Sequence, residues 1–252
     1  TTDTMRKEEL ISSLQENFNL NIETMPIMNS DINSLNFDII NKYFENKGIL
    51  VNDDNRLEFM DNAGITFIER DYNKRVVTLG GLLVFSSMNS IYLPHNMIKI
   101  VNKVNDKFDE VILVQGNLLD MLDRVEEVLK EIFPLNYPII AVHEAVKNAI
   151  LYRDYTIFYK EIEIVVNYNS VSVISPGNLL FSTEVNTHSY LKRNMWIYDK
   201  LIALDDKKRF IKSGKGFARM KKDFIKFGKV VFVDSKDDNT FKAIFPGVKH
   251  FI

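Results

Sequence analysis

The stretch YPIIAVHEAVKNAILYRDY, residues 137–155, decides how the rest of the chain is read. At 100° per residue, Val142, Ala145, Val146 and Ala149 fall within about a third of a helical turn, which predicts an amphipathic helix over residues 139–152. Glu144 and Asn148 are four apart and share its other side. A carboxylate and a carboxamide at that spacing can serve one magnesium-bound water, the carboxylate as general base and the amide oxygen as a hard ligand. A solvent-facing helix surface also accommodates Glu and Asn, so the helix by itself leaves both readings open.

Outward from this helix the pattern alternates. Residues 117–133 form a second amphipathic helix, with Leu118, Met121, Leu122, Val125, Val128, Leu129 and Ile132 on one side and Pro134 as its stop. Strands are expected at 97–104 and 110–115, and at 161–167 and 170–175 across the turn-prone Tyr168-Asn169. Helices follow at 191–204 and 216–226, and a last strand pair lies at 229–234 and 240–245. Helices grouped between antiparallel hairpins predict an α/β sandwich, a mixed sheet with helices on one face, rather than a parallel nucleotide-binding sheet. Before it stands a smaller α+β segment. It comprises an amphipathic stretch at 7–18, a helix at 36–46 ended by Gly48, strand-like pieces at 57–60 and 65–70, and an apolar run at 76–85. The expected division is a helical linker unit over 1–90 and an α/β domain over 91–252. Residue 1 is not Met, so a DNA-associated domain preceding it is an expectation of this reading.

The 252 residues are 46% hydrophobic and 26% charged, the composition of a globular protein. Cysteine is absent, which rules out disulfides, thiolate catalysis and zinc fingers. No apolar run reaches the ~20 residues of a membrane helix. A cytoplasmic location without membrane contact is expected. The net charge of −2 conceals an asymmetry: residues 192–229 hold 13 Lys/Arg against four Asp, leaving 19 basic and 30 acidic groups elsewhere. Lys207, Lys208, Arg209 and Lys212 are candidates for phosphate contact within that segment, the alternative being a solvated surface balanced by acidic neighbours. No GxxxxGK[ST] phosphate loop and no GxSxG elbow is present.

The string at 137–155 resembles the YP…REA…NA…HRDY signature of the carboxy-terminal domain of RecG-related proteins and of transcriptional regulators with a Schlafen-type AlbA-like domain. SPGNL at 175–179, KRN at 192–194, GKGFARM at 214–220 and FKAIFPG at 241–247 match in the same order. Upstream, LGGLLVF at 79–85 is similar to the TNAGLLLFG element, and LNFDIINKYF at 35–44 to the segment before it. That domain is in turn similar to the GHKL (Bergerat-type) ATPase module. The resemblance implies Glu144 as the general base, Asn148 as the magnesium ligand, and Gly214, Lys215 and Gly216 as a phosphate-binding turn at a helix start. It also places Ser175, Gly177, Arg193 and Asn194 around the nucleotide. Ser175-Pro176-Gly177-Asn178 stands where GHKL proteins carry the D-x-G-x-G turn that reads adenine, and a serine hydroxyl lacks the charge and reach of that aspartate. His143 replaces an Arg and Tyr152 a His.

Two functions follow. In the first, ATP and magnesium bind a GHKL-like or degenerate domain of a regulator, with weak hydrolysis or none. In the second, the chain is a non-enzymatic nucleic-acid-binding or dimerisation module that uses residues 192–229. The partners expected are a nucleotide, DNA and a second copy of the chain.

Overall fold

The computed structural model of the chain describes residues 21–69, 73–181, 190–191, 193–211 and 216–251. The amphipathic stretch at 7–18 lies outside them. Helix α1 (Phe37–Asn46) begins where Asn36 Oδ1 accepts the N–H groups of Asp38 and Ile39 at 2.9 and 3.3 Å, and it ends before Gly48 at φ +73°. The piece at 57–60 is not a strand but part of helix α2 (Arg56–Asn62). Four residues are too few for periodicity to separate the two structures. Strands β1 (Pro26–Ile27), β2 (Thr66–Glu69) and β3 (Lys74–Thr78) form a small antiparallel sheet in the order β1-β3-β2. The apolar run at 76–85 divides into β3 and helix α3 (Leu79–Phe85), every residue of which is buried. Thr78 Oγ1 caps α3 by accepting the Gly81 N–H at 3.0 Å.

The second part is a six-stranded mixed sheet. It contains β4 (Ile98–Asn102), β5 (Val111–Val114), β6 (Ile162–Val166), β7 (Ser170–Pro176), β10 (Val231–Ser235) and β11 (Thr240–Pro246), in the order β10-β11-β7-β6-β4-β5. Only the β4–β6 pair is parallel. A two-stranded ladder, β8 (Leu180–Phe181) with β9 (Tyr190–Leu191), stands apart from it. Alternate residues of the large sheet are buried: Ile98 and Ile100, Ile162 and Ile164, Val171 and Val173, Ala243 and Phe245. Helices α4 (Leu118–Ile132) and α5 (Ile139–Tyr152) cover that face. On the other face Lys99 pairs with Glu163 at 3.1 Å. The chain is therefore an α/β fold with helices against one side of a mixed sheet, as its alternation predicted.

Helix α6 (Met195–Leu204) starts later than expected, after β9. Helix α7 (Gly216–Asp223) is three residues shorter than expected. The hydrophobic core runs without interruption across residue 90: α1 and α3 join the same cluster as α4, α5 and α6. Asn46 Nδ2 donates to the Ala203 carbonyl at 2.8 Å and Lys47 meets Asp199 at 2.6 Å, which fastens α1 to α6. No helix among the described residues is long and apolar enough to cross a membrane.

Candidate functional site

The periodicity of α5 puts Glu144, Lys147 and Asn148 on one flank, because residues three and four apart are neighbours on a helix. Glu144 Oε2 accepts from Lys147 Nζ at 2.7 Å. Lys147 is only 5% exposed and also donates to the Arg209 carbonyl at 3.1 Å. A buried ammonium needs such partners to offset its lost hydration. Glu144 Oε1 lies 3.4 Å from Arg219 Nη2, so both carboxylate oxygens face cations. Sequence reasoning passed over Lys147 and Arg219; the i,i+3 spacing of Glu144 and Lys147 was the available signal.

Helix α7 begins against this flank. A Cβ built on Gly216 would stand 2.7 Å from Glu144 Oε1 and 3.4 Å from Asn148 Nδ2, which explains glycine at this point of close approach. The fold thus brings Glu144, Asn148 and Gly216 together. Lys212, Gly214 and Lys215 lie outside the described residues. Beside Asn148, the space bounded by Ala149, Ser175, Phe217, Met220 and Phe241 amounts to about 10 Å³. That is at the limit for a single water, whereas ligand pockets run to roughly 300 Å³ or more. Ser175 Oγ is buried and donates to the Ala149 carbonyl at 3.2 Å.

A second cluster forms where α5 ends. Asn194, 1% exposed, donates through Nδ2 to the carbonyls of Leu151 at 2.9 Å and Arg153 at 2.8 Å, satisfying groups that a helix end leaves open. Arg193 Nη1 binds Asp154 Oδ2 at 2.8 Å and Nη2 donates to the Asn178 carbonyl at 2.9 Å. Arg153 does not pair with Asp154; its buried guanidinium donates to the carbonyls of Lys160 and Ile157 at 2.6 and 3.2 Å. Gly177 sits at φ +99°, and a Cβ there would be 2.6 Å from Asp154 Cβ. Ser175 and Gly177 therefore back the end of α5. His143 Nε2 lies 3.0 Å from the Leu122 carbonyl, and burial lowers its pKa, favouring the neutral ring as donor. Burial raises the Tyr152 phenol, reinforced by Tyr198 and Glu144.

The basic segment divides. Lys207 Nζ meets Asp123 Oδ1 at 2.8 Å, and Arg209 binds both Asp205 and Asp123. Burial acts to raise the Asp123 carboxyl, but Lys207 and Arg209 hold it below its ordinary value. Lys208 is exposed at φ +54°. Trp196 is a packing residue: its Nε1 donates to the Ala63 carbonyl at 2.9 Å and Lys200 lies over its ring at 4.3 Å.

No protein-family profile matches the chain, and no curated protein matches it. Among solved structures the fold is similar to that of the DIP2311 protein from Corynebacterium diphtheriae. The similarity has a TM-score of 0.52 at 16% identity, over 94% of this chain and 42% of that one. The chain thus spans less than half the length of that protein, and the likeness concerns the fold alone.

Proposed function

We propose that the chain is a GHKL-like domain of a regulator related to the RecG-like family, one in which a closed cleft replaces nucleotide turnover and the domain serves as a fixed, non-enzymatic interaction module. The observation that carries this reading is the contact of α7 with α5. Gly216 abuts Glu144 and Asn148, and Phe217 and Met220 take up the space beside Asn148 and Ser175. The order of the motifs supports the GHKL-like frame: the E-x-x-x-N helix, the serine strand and the glycine-led helix occupy mutually facing positions. Two observations argue against turnover. Both carboxylate oxygens of Glu144 face cations, Lys147 and Arg219, and Ser175 spends its hydroxyl on a helix carbonyl.

A thermal-shift titration with ATP and magnesium tests this. The expected outcome is an unchanged melting temperature up to millimolar nucleotide. Stabilisation by several degrees that the Asn148→Ala variant abolishes would overturn the closed-cleft reading and restore a nucleotide-binding one.

A further inference from the structure

Helix α7 and the turn after it carry Arg219, Lys221, Lys222, Lys226 and Lys229 against the single acid Asp223. The apolar side of this helix is already used: Met220 and Phe224 are buried, and the Phe217 ring packs on Phe232 at 4.5 Å between centroids. At 100° per residue Lys222 falls opposite Met220 and Phe224. Lys221, Lys222, Lys226 and Lys229 are all exposed.

Elsewhere, lysines at positions 42, 47, 99, 130, 147, 200, 207 and 242 each find a carboxylate, while Lys74, Lys103, Lys107, Lys160, Lys208, Lys236 and Lys249 are scattered singly without an ion pair among the described residues. Lys222, Lys226 and Lys229 form no ion pair among the described residues, and Lys221 only lies over the Phe232 ring at 5.7 Å. What sets α7 and its turn apart is density: Lys221, Lys222, Lys226 and Lys229, all exposed, fall within nine residues that carry one acid, Asp223. Within the described part of segment 192–229, acids hold Lys207 and Arg209, while Lys208 and the lysines of α7 and its turn face solvent.

We infer that the exposed face of α7 and the following turn binds the phosphate backbone of duplex DNA. The inference goes beyond the closed-cleft reading and does not rest on it. Lysine is a point charge suited to phosphate, and a duplex presents about one negative charge per 1.7 Å of axis. Single-stranded nucleic acid is usually held by exposed aromatic rings, whereas the α7 aromatics pack inward. A membrane-binding helix turns its apolar side outward, which α7 does not; Ile225 is the one large apolar side chain exposed on this stretch. The contacts are to backbone alone, so binding is indifferent to sequence and strongly weakened by salt.

The test is fluorescence anisotropy of a short labelled duplex titrated with the chain at several salt concentrations. A variant carrying Lys222→Glu, Lys226→Glu and Lys229→Glu is compared with Lys207→Gln, and thermal melting checks that each is folded. The expected result is more than tenfold weaker binding at low salt for the triple variant, with its slope of log affinity against log salt reduced by about 0.9 per lysine removed from the contact. Lys207→Gln should stay within about twofold of the parent, since Asp123 already holds that charge. The inference is overturned if the duplex does not bind at low salt, or if the folded triple variant binds as the parent does. It is equally overturned if phosphatidylserine vesicles bind and duplex DNA does not.

Discussion

Gly80 and Gly81 show what single residues contribute. A Cβ on Gly80 would stand 2.5 Å from Trp196 Cζ3 and 2.8 Å from the Glu23 carbonyl, and one on Gly81 only 2.2 Å from the Ile65 carbonyl. Ile65 O is backbone and cannot swing aside. Gly81→Ala should therefore cost about 3 kcal/mol, read as a lower urea midpoint with an unchanged slope. In the sequence, LGGLLVF was legible as a motif, but the reason for its glycines was not. That reason lies in residues 65 and 196, which no local pattern connects to position 81. Gly216 behaves the same way: it was readable as a helix start, while its contact with Glu144 depends on how α7 docks.

At the scale of elements, α5 matched its expected bounds because four apolar residues repeat at helical spacing across the whole segment. Helix α4 matched nearly as well, with Asn117 as its cap. Helix α2 was misread because its apolar residues span too few turns to show a period. The junction between α5 and α6 depends on Asn194, which the family resemblance puts beside a nucleotide and which donates to two helix-end carbonyls in the fold. Asn194→Ala would leave those buried carbonyls without their donor, and the expected loss is about 1–3 kcal/mol in chemical denaturation. A similar argument applies to Met220, 1% exposed beneath α7. Met220→Ala should lower stability by about 2–5 kcal/mol through the cavity it leaves.

At the scale of the molecule, Glu23 joins the amino-terminal part to the sheet domain. It is 2% exposed, and its Oε1 accepts the Ile197 N–H at 2.7 Å at the start of α6. Burial pushes its carboxyl up to about 7, opposed by the N–H groups of Ile197 and Trp196 and by Lys200. The folded value lies above the unfolded one, so its contribution to stability is complete below pH 4.5 and is lost as pH rises through about 7. Glu23→Gln keeps the acceptor and removes the charge. Its melting temperature should match the parent at pH 4 and exceed it at pH 8, by up to about 3 kcal/mol in equivalent stability. By itself the sequence determined the α/β alternation, the amphipathic helices and the concentration of positive charge, since periodicity and composition act over neighbouring residues. Only the tertiary structure decided that α7 closes against Glu144 and Asn148, that Trp196 packs on glycines, and which lysines remain unpaired. Those outcomes follow from the packing of distant side chains, where a single contact of 2–3 Å fixes whether a cleft is open or filled.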